Sequence, residues 1–155
     1  MIRMGKTFHE RWRALQLDGR LATIALQPEL LERIDAPIVA DEDAFFLQSM
    51  LAGDPGSSPF PDRTGREAFV NKLHVDDYIT GDADVLFEQS AAAALHLARR
   101  LGEEQPRRRF RVHLTVDPEL PTATLRFFAV RPGEPWGSDD PDDSPLEVLL
   151  VDTPL

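Results

Sequence analysis

Apolar residues recur at helical spacing near the start of the chain, where Phe8, Trp12 and Leu15 accompany Thr7 and Glu10. That pair has the form of a capping box, and the spacing predicts a short helix over residues 7–16. LATIALQ, from Leu21 to Gln27, reads as a strand. Pro28 suits the first turn of a helix running through Glu29, Leu30, Leu31 and Ile34. A further helix is expected to begin near Asp41 and to carry Phe45, Phe46 and Met50 toward Gly53. Three prolines, two glycines and two serines crowd DPGSSPFPDRTGR, residues 54–66, so a flexible surface loop is expected there. Beyond it Phe69, Leu73 and Val75 alternate with polar partners, as in a strand or an extended segment.

The strongest helical pattern is ADVLFEQSAAAALHLARRLG, with Asp82 as its cap and Gly102 at its end. Val85, Leu86, Ala93, Leu97 and Leu101 form a wide apolar face, and four consecutive alanines suit close packing against a sheet. RRFRVHLTV then places Phe110, Val112, Leu114 and Val116 on one side and Arg109, Arg111, His113 and Thr115 on the other. A sheet with one dry and one wet face requires that alternation. TATLRFFAV and LEVLLVD supply two further strands, separated by the polar connection RPGEPWGSDDPDDSP. The short DPELP turn favours an antiparallel pair. The fold class is therefore α+β: a carboxyl-terminal antiparallel sheet packed on one face by helices, in a single domain over residues 1–155.

Composition narrows the function. With 42% hydrophobic and 28% charged residues, the chain reads as soluble and globular, and no apolar run is long enough to cross a bilayer. The charged amino end has no apolar core of the kind a secretory signal needs, so the cytoplasm is the expected compartment. The absence of cysteine removes disulfides, thiolate nucleophiles and thiolate metal sites. A net charge of −10 repels phosphate backbones and anionic lipid, and so disfavours direct nucleic-acid or membrane binding. The charge is uneven: no Lys or Arg follows Arg131, while Asp139, Asp140, Asp142 and Asp143 fall within five residues beside Trp136. Such a segment either solvates the fold or presents an electrostatic face to a basic partner protein.

The one local cluster with catalytic residue types is His74, Asp76, Asp77 and Tyr78. In an extended segment His74 and Asp76 share a face and Asp77 takes the other, so at most two groups converge without a distant ligand such as His96 or His113. The cluster therefore reads as structural, with a buried, hydrogen-bonded histidine and carboxylates at the following turn. No metal, cofactor or catalytic residue is assigned. A small metal-dependent or acid/base enzyme using the His74 cluster with Arg109 or Arg111 is the alternative. Ser90 lies in the alanine-rich helix without a nucleophile-elbow pattern, and the nine glycines form no phosphate-cradling loop. Arg109 and Arg111 are expected on the wet sheet face, paired with carboxylates, and Trp136 reads as a lid over the core edge or as a binding anchor.

Two segments taken together resemble bacterial immunity proteins of contact-dependent growth inhibition systems. One is NKLHVDDYITG before the long helix, with His74, Asp76, Asp77 and Tyr78; the other is the turn Arg131, Gly133, Glu134 and Trp136 before an acidic connection and the last strand. The resemblance covers the chain from Asn71 onward. It implies a noncatalytic protein that binds and neutralises one toxin domain. Many such toxins are nucleases with basic clefts, which an acidic protein complements. The prolines of GSDDPDDSP depart from the family pattern at the interface.

Overall fold

The computed structural model describes residues 1–154. The helices are α1 (Lys6–Ala14), α2 (Leu17–Arg20), α3 (Pro28–Ile34), α4 (Arg63–Val70) and α5 (Ala83–Glu104). The strands are β1 (Ile2–Met4), β2 (Ile38–Asp41), β3 (Ala44–Leu47), β4 (Leu73–His74), β5 (Phe110–Val116), β6 (Ala123–Ala129) and β7 (Glu147–Asp152). The main sheet is antiparallel in the order β1-β7-β5-β6-β4, and β2 and β3 form a separate hairpin. No helix among the described residues is long and apolar enough to cross a membrane.

The alternation of β5 sets the two layers. Phe110, Val112, Leu114 and Val116 are buried on the inner face, where α5 packs with Ala91, Ala93, Ala94, Leu97, Ala98 and Leu101 almost wholly hidden. Alanines let the helix axis lie close to the sheet, and Phe8, Phe87 and Phe127 fill the space to either side. Asp82 caps α5 through the amides of Asp84 and Val85, as expected, and the helix runs past Gly102 to Glu104.

Several expectations for the first half are overturned. LATIALQ is not a strand: α2, a 3₁₀ turn at Leu21–Thr23 and an irregular segment drape it along α5. The sheet ends at β1 and β4, and this segment instead packs Leu21, Ile24 and Leu26 against the core. The helix expected from Asp41 is the β2–β3 hairpin, turned by Glu42 and Asp43 in left-handed conformations and followed by a 3₁₀ stretch, Gln48–Gly53. β3 is buried on both sides, with Phe45 and Leu47 in the main core and Ala44 and Phe46 against Val70 in a second cluster. A strand covered on both faces shows no alternation, which is why its aromatics imitate a helical face.

The loop expected over 54–66 ends early. Asp62 accepts from the amide of Gly65 at 2.7 Å and starts α4, and Phe69 belongs to that helix, exposed against Phe60. The loop is also pinned, since Arg66 grips Asp54 and Asp41 and lies over the Phe46 ring. The Arg66 guanidinium holds the Asp54 carboxyl below its ordinary value against the effect of burial. The capping box of Thr7 and Glu10 is not used either. The amide of Lys6 instead donates to Asp142 Oδ1 at 2.6 Å, across 136 residues of sequence.

Candidate functional site

The outer face of the sheet, expected to be wet, is partly roofed by the connection between β6 and β7, residues 131–146. Arg131 roots this strap. Its two terminal nitrogens each lie 2.8 Å from a different oxygen of Glu67, a fully buried carboxylate on α4 that also accepts from the amides of Phe45 at 2.7 Å and Ala129 at 2.8 Å. Burial pushes the Glu67 carboxyl up, opposed by the Arg131 guanidinium and the two amides. Asn71, one turn on, accepts from Leu47 and donates to the carbonyls of Phe45 and Phe127. Together Glu67 and Asn71 join the hairpin, α4 and β6.

Gly133, at φ 78°, turns the strap back so that Glu134 meets the amino end of α4. Glu134 Oε2 accepts from the amide and hydroxyl of Thr64 at 3.1 and 3.0 Å, and Arg63 meets its other oxygen. Burial works to raise its pKa, but the Thr64 and arginine contacts outweigh it and hold the carboxyl below its ordinary value. Trp136 then lies on the outer sheet face, its ring centroid 5.1 Å from that of Phe128 and 5.4 Å from that of His113. The Arg126 guanidinium is 5.4 Å from the same centroid, within cation–π range. Trp136 thus covers the outer face of the sheet and not the core edge, where a lid was expected.

The four aspartates of the strap are exposed, and each has a local task. Asp139 pairs with Arg111, whose guanidinium also grips Asp152, and the Asp139 carbonyl accepts from Arg3 at 2.7 Å. The hydrogen bond from Arg111 holds the Asp139 carboxyl below its ordinary value. Asp140 accepts from the amide of Asp142 at 3.0 Å, Asp142 caps α1, and Asp143 accepts from the Ser138 hydroxyl. Arg111 therefore meets the expectation of a wet-face arginine paired with carboxylates, whereas Arg109 is exposed and takes part in no ion pair among the described residues.

His74, Asp76, Asp77 and Tyr78 do not converge. His74 is exposed on the short edge strand β4, opposite Thr124, and makes no side-chain hydrogen bond among the described residues. Asp76 accepts from the amide of Ala123 at 2.9 Å, which anchors the turn to β6. Asp77 points to solvent, and Tyr78 lies on the opposite side of the turn beneath Arg33, 5.2 Å from its ring centroid. The buried histidine expected here is corrected by a simple cause: β4 is an edge strand with nothing over its outer face. Among the described residues no group of three or more His, Asp or Glu is arranged to hold a metal. Replacing His74 by alanine should consequently change stability by no more than about 0.5 kcal/mol. Urea unfolding checks this, and a loss above about 1 kcal/mol would show a structural role that the exposed position does not provide.

The residues missed in the sequence are Glu67, Arg126 and Arg3, which hold the strap, and Asn71, which joins the hairpin to β6. Their only sequence signal is polar residues inside otherwise apolar segments.

No curated protein and no solved structure matches the chain. A family model does match, over residues 7–154, which takes in the strap, every strand except β1 and all five helices apart from the first residue of α1. The chain belongs to the family described as Uncharacterized protein PM0498 family.

Proposed function

We propose that the protein is a noncatalytic inhibitor that binds a basic protein partner through the strap, and that this partner is a toxin domain of a contact-dependent growth inhibition system. The observation that carries the reading is the state of the acidic strap. Asp139, Asp140, Asp142 and Asp143 stand exposed on a segment held by Arg3, Arg111, the packed Trp136 ring and the start of α1. Carboxylates held in place before encounter lose little freedom on binding. They also attract a positively charged surface over roughly a Debye length, about 8–10 Å at physiological salt. A nuclease with a basic cleft is the fitting class of toxin. The net charge of −10 supports a protein partner in place of nucleic acid or membrane. The reading places the protein in the cytoplasm, where an arriving toxin domain would act.

The test is association with a candidate toxin domain, the carboxyl-terminal domain of a large secreted protein where one is encoded beside this chain's gene. Asparagine keeps the acceptor oxygen that each local hydrogen bond uses, so Asp→Asn at all four positions removes charge while sparing most of the strap geometry. The association rate of that variant should fall by about tenfold or more at low salt and lose most of its salt dependence, with dissociation changed less. Equal rates for the two proteins at low and moderate salt would remove the strap as the steering surface. Failure of the chain to copurify with the toxin domain, or to rescue growth on coexpression, would overturn the proposal itself.

A further inference from the structure

Where the strap turns toward β7 it encloses a small cavity of about 280 Å³, lined by His113, Ser138, Asp140 and Asp143 with Pro141 and Val148 as apolar walls. That volume lies just below the roughly 300–1,000 Å³ of small-molecule sites and suits a single side chain. The lining is of one charge sign. Asp140 gives one oxygen to the amide of Asp142 and Asp143 one to the Ser138 hydroxyl, and neither carboxylate pairs with a cation among the described residues. No Lys or Arg lines the cavity. The cations nearby are directed elsewhere: Arg111 is engaged by Asp139 and Asp152, and Arg126, opposite His113 on β6, lies against the Trp136 ring.

His113 adds an independent observation. Its Nδ1 is buried with no hydrogen-bond partner among the described residues, and a polar atom left in that state calls for a donor. The ring is neutral near pH 7, because burial and the charges of Arg126 and Arg111 push its pKa down to about 4, so the bare nitrogen can accept. Two carboxylates and an imidazole nitrogen are acceptors only, which excludes an anion as their ligand. A bare metal ion is excluded by spacing, since no group of three or more His, Asp or Glu among the described residues is arranged to hold one. An alkylammonium group fits both conditions, because it carries the charge and three N–H donors that reach outward from it. We propose that this cavity receives the side chain of a lysine from the partner protein. Its ammonium meets the free oxygens of Asp140 and Asp143, its methylene stem lies along Pro141 and Val148, and the imidazole turns about its soft χ2 torsion to present Nδ1. The partner's identity rests on the inhibitor reading, whereas the preference of the cavity for an alkylammonium group does not.

Butylammonium chloride reproduces a lysine side chain and tests the cavity alone. In protein labelled with ¹⁵N-histidine, the His113 Nδ1 resonance, assigned by its loss in His113→Gln, should move saturably on titration at neutral pH. Sodium chloride at equal ionic strength and butanol should leave it in place. Asp140→Asn and Asp143→Asn together keep the local acceptor oxygens and should weaken butylammonium by about tenfold or more, because hydrogen bonds to charged groups are the strong ones. A resonance that follows sodium chloride as closely as butylammonium overturns the proposal, and so does a response unchanged in the double variant. In a complex with a candidate toxin domain the same resonance should be displaced without added amine, and a Lys→Gln change at one lysine of that domain should return it. A complex that leaves His113 Nδ1 at its free position overturns the assignment of a lysine to the cavity. Butylammonium binding by a chain that fails to bind the toxin domain would instead overturn the inhibitor reading and uphold the alkylammonium site.

Discussion

Replacing Arg131 by methionine is expected to destabilise the protein by about 3–5 kcal/mol, because the fully buried Glu67 carboxylate then loses its only ion-pair partner among the described residues. All four near contacts of that carboxylate are donors, two from Arg131 and one each from the amides of Phe45 and Ala129. It therefore sits there as a fully buried anion. Glu67→Gln should cost less, since the amide keeps one accepting oxygen and carries no charge. The double variant should recover part of the loss, giving a coupling of about 1–3 kcal/mol in a double-mutant cycle. It should not return to the stability of the native protein, because one of the two backbone amides would still face a side-chain N–H. Urea unfolding of the four proteins measures all of this. A loss below about 1 kcal/mol for Arg131→Met would show that the pair is not the tie between α4, the hairpin and the strap.

Acidification should reveal a second large effect, at His113. Its ring lies beneath Trp136, with Nδ1 buried and unbonded among the described residues. Burial, reinforced by the charges of Arg126 and Arg111, pushes its pKa down to about 4 from the ordinary 6.5. Asp140 and Asp143, which share a small cavity with it, do not offset this. A histidine whose folded pKa lies below the unfolded one contributes stability that is complete above about pH 6.5. That contribution is lost as the pH falls toward 4, and a gap of this size corresponds to about 3 kcal/mol over the window. His113→Gln should flatten the pH dependence of unfolding between pH 6.5 and 5, before most carboxylates titrate. Parallel curves for the two proteins across that range would mean that His113 protonates in the folded state without strain. Trp136 emission, followed in a Trp12→Phe background, should change over the same range if the charged imidazole pushes the strap away.

The carboxyl-terminal sheet and α5 were legible in the chain because their signals are local. β5 alternates cleanly, and α5 carries a broad apolar face from Val85 to Leu101. Its cap, Asp82, stands next to the helix it starts. α4 was hidden for the opposite reason. Its buried side includes Thr64, Arg66 and Glu67, so hydrophobic periodicity misses it, and the groups that satisfy those side chains come from Glu134, Asp54 and Arg131 elsewhere in the chain. The strap aspartates and Trp136 could be singled out as an unusual acidic run beside an aromatic. Their fixed positions could not be, since Arg3, Arg111 and the start of α1 are remote in sequence.

By itself the sequence determined the α+β class, the antiparallel order of β5 and β6, the long helix behind them and the acidic character of the strap. Those features follow from side chains that repeat with the period of one element or carry charge wherever they are placed. The tertiary structure decided the rest. It made a hairpin of a stretch with helix-like aromatics, because β3 is covered on both faces. It packed LATIALQ against the core as a 3₁₀ turn and irregular chain, outside a sheet that ends at β1 and β4. It also started α1 with a carboxylate from the strap and exposed His74 on an uncovered edge. In each case the outcome depends on which remote group meets a backbone amide or a buried charge, and a polar group removed from water must find its partner wherever the fold brings one.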